Sequence, residues 1–178
     1  MIAGVDEVGL GCLAGPVIAS AIVLSGRGGE RTYKDSKKTS EKQRAENYYF
    51  LRRNCYFGIG IASPLEIDQL NVLKASHLAM IRAVKSLPVK PCKIFIDGKY
   101  IPEGIKNAEP VIKGDQLVQE ISAASIFAKY YRDSLMAVYH LQFPNYNFKK
   151  NKGYPTLEHK DAISAYGLSK IHRKSFKI

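Results

Sequence analysis

The stretch Ile2-Ala3-Gly4-Val5-Asp6-Glu7-Val8-Gly9-Leu10-Gly11 is followed, after Gly15-Pro16, by Val17-Ile18-Ala19-Ser20-Ala21-Ile22-Val23-Leu24, and this pair of runs decides the fold class. Both are short, rich in Val and Ile, and separated by turn-forming residues, as expected of two buried strands joined by a tight connection. Met1 to Leu24 is apolar enough to suggest a signal peptide, but it carries Asp6 and Glu7, lacks a basic leading segment and is broken at Gly15-Pro16. Adjacent carboxylates inside an apolar strand are the first anomaly, because ionised groups are rarely placed in a core unless a partner or cation compensates them. Alternate strand side chains point to opposite faces, so Asp6 and Glu7 share a site only if the strand ends or bulges there, which Gly9 allows. The plainer alternative makes Asp6 a strand-end residue and Glu7 a surface charge.

Downstream, Ser25 to Thr39 forms a Gly-rich, then basic loop, and Ser40 caps a helix reaching about Arg53. Tyr56 to Ala62 is a third strand and Pro64 to Gln69 a short helical turn, and Asn71 caps an amphipathic helix to about Leu87. Lys93 to Asp97 is a strand ended by Asp97-Gly98, and Pro110 to Ile112 a further short strand. Lys113-Gly114-Asp115 then turns into a long helix from Val118 to about Tyr139, and a last helix spans about Leu157 to Tyr166. The order β-β-α-β-α-β-β-α-α implies an α/β fold with a mixed five-stranded sheet flanked by helices. The crossover around residues 71 to 87 favours a parallel pair, and the first two strands an antiparallel one.

The chain has 178 residues, enough for one core, and no linker or repeat divides it, so residues 1–178 are expected to form a single domain. Its 27 basic and 16 acidic residues leave a net charge of +11, which favours a polyanionic partner, nucleic acid ahead of an anionic membrane. Cys12, Cys55 and Cys92 are odd in number and without C-x-x-C pairing, so no disulfide framework or zinc site is indicated and a reducing cytoplasm fits best. No run approaches the ~18 apolar residues of a membrane span.

Two further acids bear on the Asp6-Glu7 pair. Asp97 ends one strand and Asp115 opens a helix behind Lys113-Gly114, so both can project from the sheet edge where open α/β folds hold ligands. Hard divalent cations take carboxylate and water oxygens, Mg²⁺ at about 2.0–2.1 Å. Two such ions roughly 3.5–4 Å apart activate water and stabilise a leaving oxygen in phosphoryl transfer. Taken singly, Asp115 is an ordinary helix N-terminal acid and Asp97-Gly98 a plain turn.

Gly9-Leu10-Gly11 frees two backbone positions from Cβ and so lets main chain approach a sugar or phosphate, although taken alone it reads first as a tight turn into the second strand. Lys37, Lys38, Lys113, Lys129, Lys149, Lys150, Lys152, His172, Arg173 and Lys174 fall largely on loops and ends, either as solvated charges or as a phosphate track. Tyr146, Phe148 and Tyr154 interleave with that basic loop, for stacking or for core packing. Tyr154, between Gly153 and Pro155, fits a core least well. His159 and His172 have no partner at zinc spacing and are taken as polar or phosphate-contacting groups, and Ser122 and Ser125 have no nearby base.

These motifs together resemble the type 2 ribonuclease H family, the bacterial ribonuclease HII branch in particular. The matching residues run in family order: Ala3 to Gly9, Leu13-Ala14-Gly15-Pro16, Asp35-Ser36-Lys37-Lys38, Ile96-Asp97-Gly98 and Lys113-Gly114-Asp115 in the first two thirds. Ile121 to Lys129 with Arg132-Asp133, Gly153-Tyr154-Pro155-Thr156, and His172-Arg173-Lys174-Ser175-Phe176 complete them. The resemblance implies an RNase H-like fold and an endonuclease that hydrolyses the RNA strand of RNA/DNA hybrids. It also implies cutting 5′ of ribonucleotides embedded in duplex DNA, leaving 3′-hydroxyl and 5′-phosphate, with two Mg²⁺ or Mn²⁺ ions and a repair role.

It implies metal-binding catalytic carboxylates at Asp6, Glu7, Asp97 and Asp115, and substrate contacts at Gly9, Leu10, Gly11, Lys37, Tyr154 and Arg173, with residues 140–178 as a substrate-contacting segment. The Gly9-Leu10-Gly11 backbone would sense the 2′-hydroxyl and Tyr154 would stack on the next deoxyribose. The family usually carries Arg or Lys between the two glycines, where this chain has Leu10, and many relatives carry a longer tail, so weaker and more salt-sensitive binding is expected. A monomer is expected, and nothing in the sequence supports a docked clamp protein. The rivals are a non-catalytic RNA/DNA hybrid-binding protein and a general phosphodiesterase of the same fold.

Overall fold

The computed structural model describes residues 1–34, 36 and 39–178, so Asp35, Lys37 and Lys38, including the substrate contact expected at Lys37, lie outside the described residues. Five strands, β1 (Ile2–Val8), β2 (Val17–Val23), β3 (Tyr56–Ala62), β4 (Lys93–Asp97) and β5 (Ala108–Val111), form one sheet in the order β3-β2-β1-β4-β5. β2 is antiparallel to β1 and to β3, whereas β4 is parallel to β1 and β5 to β4. The crossover from β3 therefore does not make a neighbouring pair: it passes over two strands and delivers β4 beside β1. Pro110, which lacks a donor, is tolerated because β5 is an edge strand.

The helices are α1 (Glu41–Asn54), α2 (Pro64–Leu70), α3 (Val72–Lys85), α4 (Gly114–Leu117), α5 (Gln119–Gln142), α6 (Phe148–Asn151) and α7 (Leu157–Tyr166). Their starts are fixed by side chains that satisfy first-turn amides: Ser40 with Gln43, Ser63 with Glu66, Asn71 toward Lys74, and Thr156 toward His159. The long helix expected from Val118 to about Tyr139 is α5, and extended backbone at Val118 separates it from the four residues of α4. That break turns the chain from the sheet edge onto its face.

The two sheet faces carry different layers. Ala3, Val5, Val17, Ala19, Ile94 and Ile96 meet Ala75, Ala79, Met80 and Ala83 of α3 in the main core. On the other face α5 lies close against β1 and β2, where Ser20 Oγ donates to the Ala124 carbonyl at 2.8 Å. A Cβ on Gly4 would sit 2.1 Å from the Glu120 carbonyl carbon, so only glycine permits this approach. Small residues along α5, from Ser122 to Ser125 and Ala128, serve the same purpose.

The C-terminal segment builds a satellite core in which Tyr146, Phe148, Ile163 and Ile171 pack on Leu13, Ala14 and Met136. Tyr146 and Phe148 stack at 5.4 Å and are buried, so of the two readings open for this aromatic loop, core packing holds for both. Among the described residues no helix is long and apolar enough to cross a membrane.

Candidate active site

Strand parity builds the site. Gly4 and Asp6 face α5, whereas Ala3 and Val5 face α3, and on β4 Asp97 falls opposite in parity to the core residues Ile94 and Ile96. β1 and β4 run parallel in a register ending at Val5↔Ile96, so Asp6 and Asp97 emerge side by side at one sheet edge. Glu7 joins them without a bulge, since the β1–β2 ladder is regular through Val8↔Ile18. The strand ends there, which is the condition that lets residues of both parities reach one space. A cavity of about 400 Å³ at this edge is lined by Asp6, Glu7 and Asp97 together with Gly9, Leu10, Gly11 and Tyr154. Ser36, Ser125 and Lys129 complete its polar wall.

Asp6 is the electrostatic centre. Its Oδ1 accepts the Glu7 amide at 2.8 Å, and its carboxylate pairs with the Ser125 hydroxyl, itself 2.9 Å from Ser36 Oγ. Burial, then the charges of Glu7 and Asp97, push the Asp6 carboxyl well above the usual carboxylate range, and those two hydrogen bonds oppose the shift only in part. Asp97 is held from the other side, its Oδ1 accepting the Gly114 amide at 2.7 Å. Asp115, the next residue, is buried at the start of α4 and does not line the cavity wall. Its carbonyl accepts from Ser122 Oγ at 2.8 Å, tying α4 to α5. Among the described residues, no three His, Cys, Asp or Glu side chains converge tightly enough to cage a metal ion, so the three lining acids form an open wall.

The glycine loop is shaped by two buried arginines, Arg132 and Arg173, neither of which the sequence marks as a brace. Gly9 has φ +97°, and a Cβ there would lie 2.4 Å from Arg132 Nε, so this glycine is required by packing as well as by conformation. Around Gly11 the space is open, and Leu10 is partly exposed. Arg132 donates to the carbonyls of Pro16, Lys152 and Ala14 at 3.0, 2.8 and 3.0 Å.

Arg173, expected at the substrate, requires a correction. It is 1% exposed, and its guanidinium donates to Gly15, Leu10 and Gly9 carbonyls at 3.0, 2.8 and 2.6 Å, so it braces the loop from behind. Burial pushes its pKa down to about 10. No local signal identifies either arginine as a brace, because most of their carbonyl partners are more than 100 residues away.

Tyr154 is brought to the cavity by the α6–α7 connection, its hydroxyl paired with the buried Cys12 thiol and its ring 5.5 Å from Lys129 Nζ. Burial raises the Tyr154 phenol. Lys129 forms an ion pair with Asp133 at 2.9 Å. His159 and His172 are buried and bond to each other, so of the two readings open for them, polar or phosphate-contacting, the first holds.

A carboxylate-lined cavity at the edge of a mixed five-stranded sheet with helices on both faces defines an RNase H-like hydrolase. The ribonuclease H2 from Pyrococcus horikoshii superposes with a TM-score of 0.81 at 27% identity, covering 99% of this chain and 93% of that one. The ribonuclease HII of Alteromonas mediterranea is 51% identical over 178 residues, spanning 99% of this chain and 94% of that protein. That of Maricaulis maris is 47% identical over 176 residues, spanning 98% and 81%. The Ribonuclease HII family model matches residues 3–178. The chain belongs to the ribonuclease HII family and is an endoribonuclease.

Proposed function

We propose that the chain hydrolyses the RNA strand of RNA/DNA hybrids and cuts duplex DNA 5′ of embedded ribonucleotides, leaving a 3′-hydroxyl and a 5′-phosphate. The observation that carries this reading is the placement of Asp6, Glu7 and Asp97 on one cavity wall beside Gly9-Leu10-Gly11 and Tyr154. The donor set fits Mg²⁺ or Mn²⁺: it is all hard oxygen, and the Asp6 carboxyl, raised by burial and then by the charges of Glu7 and Asp97, sits where a divalent cation offsets both costs. Asp6, Glu7 and Asp97 would hold the ions, two during catalysis, with Asp115, next in sequence to the Gly114 that bonds Asp97, as the fourth carboxylate. Bound there, such cations supply activated water at neutral pH and neutralise charge on the departing oxygen.

The chain's own residues do the positioning. The Asp6 carboxylate is fixed by Ser125 and the Glu7 amide, and Asp97 by the Gly114 amide, so neither reorients when substrate enters. The open backbone at Gly11 and the flanking Gly9 and Leu10 admit a ribose edge and sense its 2′-hydroxyl, the group that distinguishes RNA from DNA. Tyr154 stacks on the following deoxyribose, and Lys129 meets a phosphate. Residues 140–178 thus serve as a substrate-contacting segment through Tyr154, within a single domain of residues 1–178.

The test is cleavage of a labelled DNA duplex containing one ribonucleotide, with Mg²⁺, Mn²⁺ or chelator, by wild type, Asp6→Asn, Asp97→Asn and Tyr154→Ala. Metal-dependent cutting 5′ of the ribonucleotide, abolished in both Asn variants, supports the reading. Tyr154→Ala should impair this junction more than a long hybrid. Binding without cleavage of either substrate would sink it.

A further inference from the structure

The described cavity does not account for a buried histidine pair beneath it. His159 Nε2 and His172 Nε2 are 3.0 Å apart, and both rings are closed off, 0% and 2% exposed, between Tyr146 and Phe148. Their tautomers follow from the ends of the chain of bonds. The Ser169 amide can only donate, and it meets His172 Nδ1 at 2.9 Å, so that nitrogen accepts and the ring proton sits on Nε2. His172 Nε2 therefore donates to His159 Nε2. His159 must then carry its proton on Nδ1, which lies 2.8 Å from the Tyr154 carbonyl, a group that can only accept. At the first link the Ser169 hydroxyl, 2.7 Å from the same His172 Nδ1, adds a second donor to the amide. The two links beyond it have one donor and one acceptor each, in one direction, with both rings neutral.

The same short segment reaches the other side of the cavity. His172 forms an antiparallel bridge with Ala14, and the next residue, Arg173, holds the Gly9 and Leu10 carbonyls. Leu13 N and Ala14 N both point to the Gly153 carbonyl, at 2.8 and 3.4 Å. Tyr154 and the glycine loop are thus referred to one common anchor at residues 169–173.

We propose that His159 and His172 are positioning residues for the reaction: a directed relay, Ser169 to His172 to His159 to the Tyr154 carbonyl, sets where Tyr154 stands relative to Gly9-Leu10-Gly11. This rests on the substrate role given to Tyr154 above. Neither histidine touches substrate. The spacing between the group that senses the 2′-hydroxyl and the ring that stacks on the next sugar is then a property of the relay. A packed apolar pair of the same volume would fill the space but take away the His159 donor, leaving the Tyr154 carbonyl only the Thr156 amide at 2.8 Å.

Two measurements test it on the full chain. With ¹⁵N-labelled histidine, a nitrogen–nitrogen coupling across the His172 Nε2–H to His159 Nε2 bond should be seen, and its absence overturns the relay. Steady-state cleavage of the single-ribonucleotide duplex by His159→Leu should show KM raised about tenfold, with a smaller effect on kcat. His159→Gln, which keeps an acceptor and a donor, should restore most of it, provided urea midpoints show both variants folded. On a Tyr154→Ala background His159→Leu should change nothing further, and an equal loss in both backgrounds reduces the pair to scaffolding. An unchanged KM for Tyr154→Ala itself removes the substrate role of Tyr154 and the purpose of the relay, whereas a missing coupling removes the relay alone.

Discussion

The guanidinium of Arg173 donates through Nη2 to the carbonyl of Gly9 at 2.6 Å, joining residues separated by 164 positions in sequence. With its bonds to Leu10 and Gly15 it satisfies three loop carbonyls from one planar fork, a geometry that an ammonium group cannot reproduce. Arg173→Lys should lower stability by about 2 kcal/mol in urea unfolding and raise KM more than it lowers kcat. Arg173→Ala should cost more, on the order of 3–5 kcal/mol, because buried acceptors lose their donors. Wild-type stability in either variant would show that the brace is dispensable.

Asp6 trades stability for chemistry. A carboxyl raised in the folded protein favours the protonated form, so its contribution to stability is present at low pH and is lost as pH rises through the folded pKa. At pH 7 in chelator, Asp6→Asn should therefore have a higher Tm than wild type and no cleavage activity. Divalent metal should narrow the Tm gap, since the cation offsets the same charges. A lower Tm for the variant in chelator would contradict the electrostatic account.

His172 has the opposite sign. Burial first, then the neighbouring His159, press its pKa from 6.5 down to about 4, so the folded chain resists a proton that the unfolded chain accepts. Stability should be level above pH 6.5 and fall as pH drops toward 4, by an amount on the order of 3 kcal/mol from this group. In His172→Asn that part of the slope should vanish, as measured by urea unfolding at several pH values.

Leu10 stands on the exposed rim of the cavity between the two glycines. Leu10→Arg adds a cation where a phosphate track would pass, with no buried group disturbed. Affinity for a ribonucleotide-containing duplex should rise several-fold at low salt, and the slope of log K against log salt should steepen by about one. An unchanged slope would place the duplex elsewhere.

The sequence by itself determined the strands and most helix starts, because period-two apolar runs and capping residues such as Ser40, Ser63 and Asn71 are local signals. It also marked Asp6 and Glu7, since two charges in an apolar strand cost free energy unless compensated. Strand order was not local: only the assembled sheet sets β4 beside β1 and so brings Asp97 next to Asp6, and only the tertiary structure sets the Gly114 amide on Asp97 with Asp115 buried beside it in the chain. Arg132, Arg173, His159 and His172 have the composition of a phosphate track, but the tertiary structure turns them inward. Buried carbonyls of the glycine loop and the turn after it need donors, and the arginines that supply them come from α5 and the tail, more than 100 residues away.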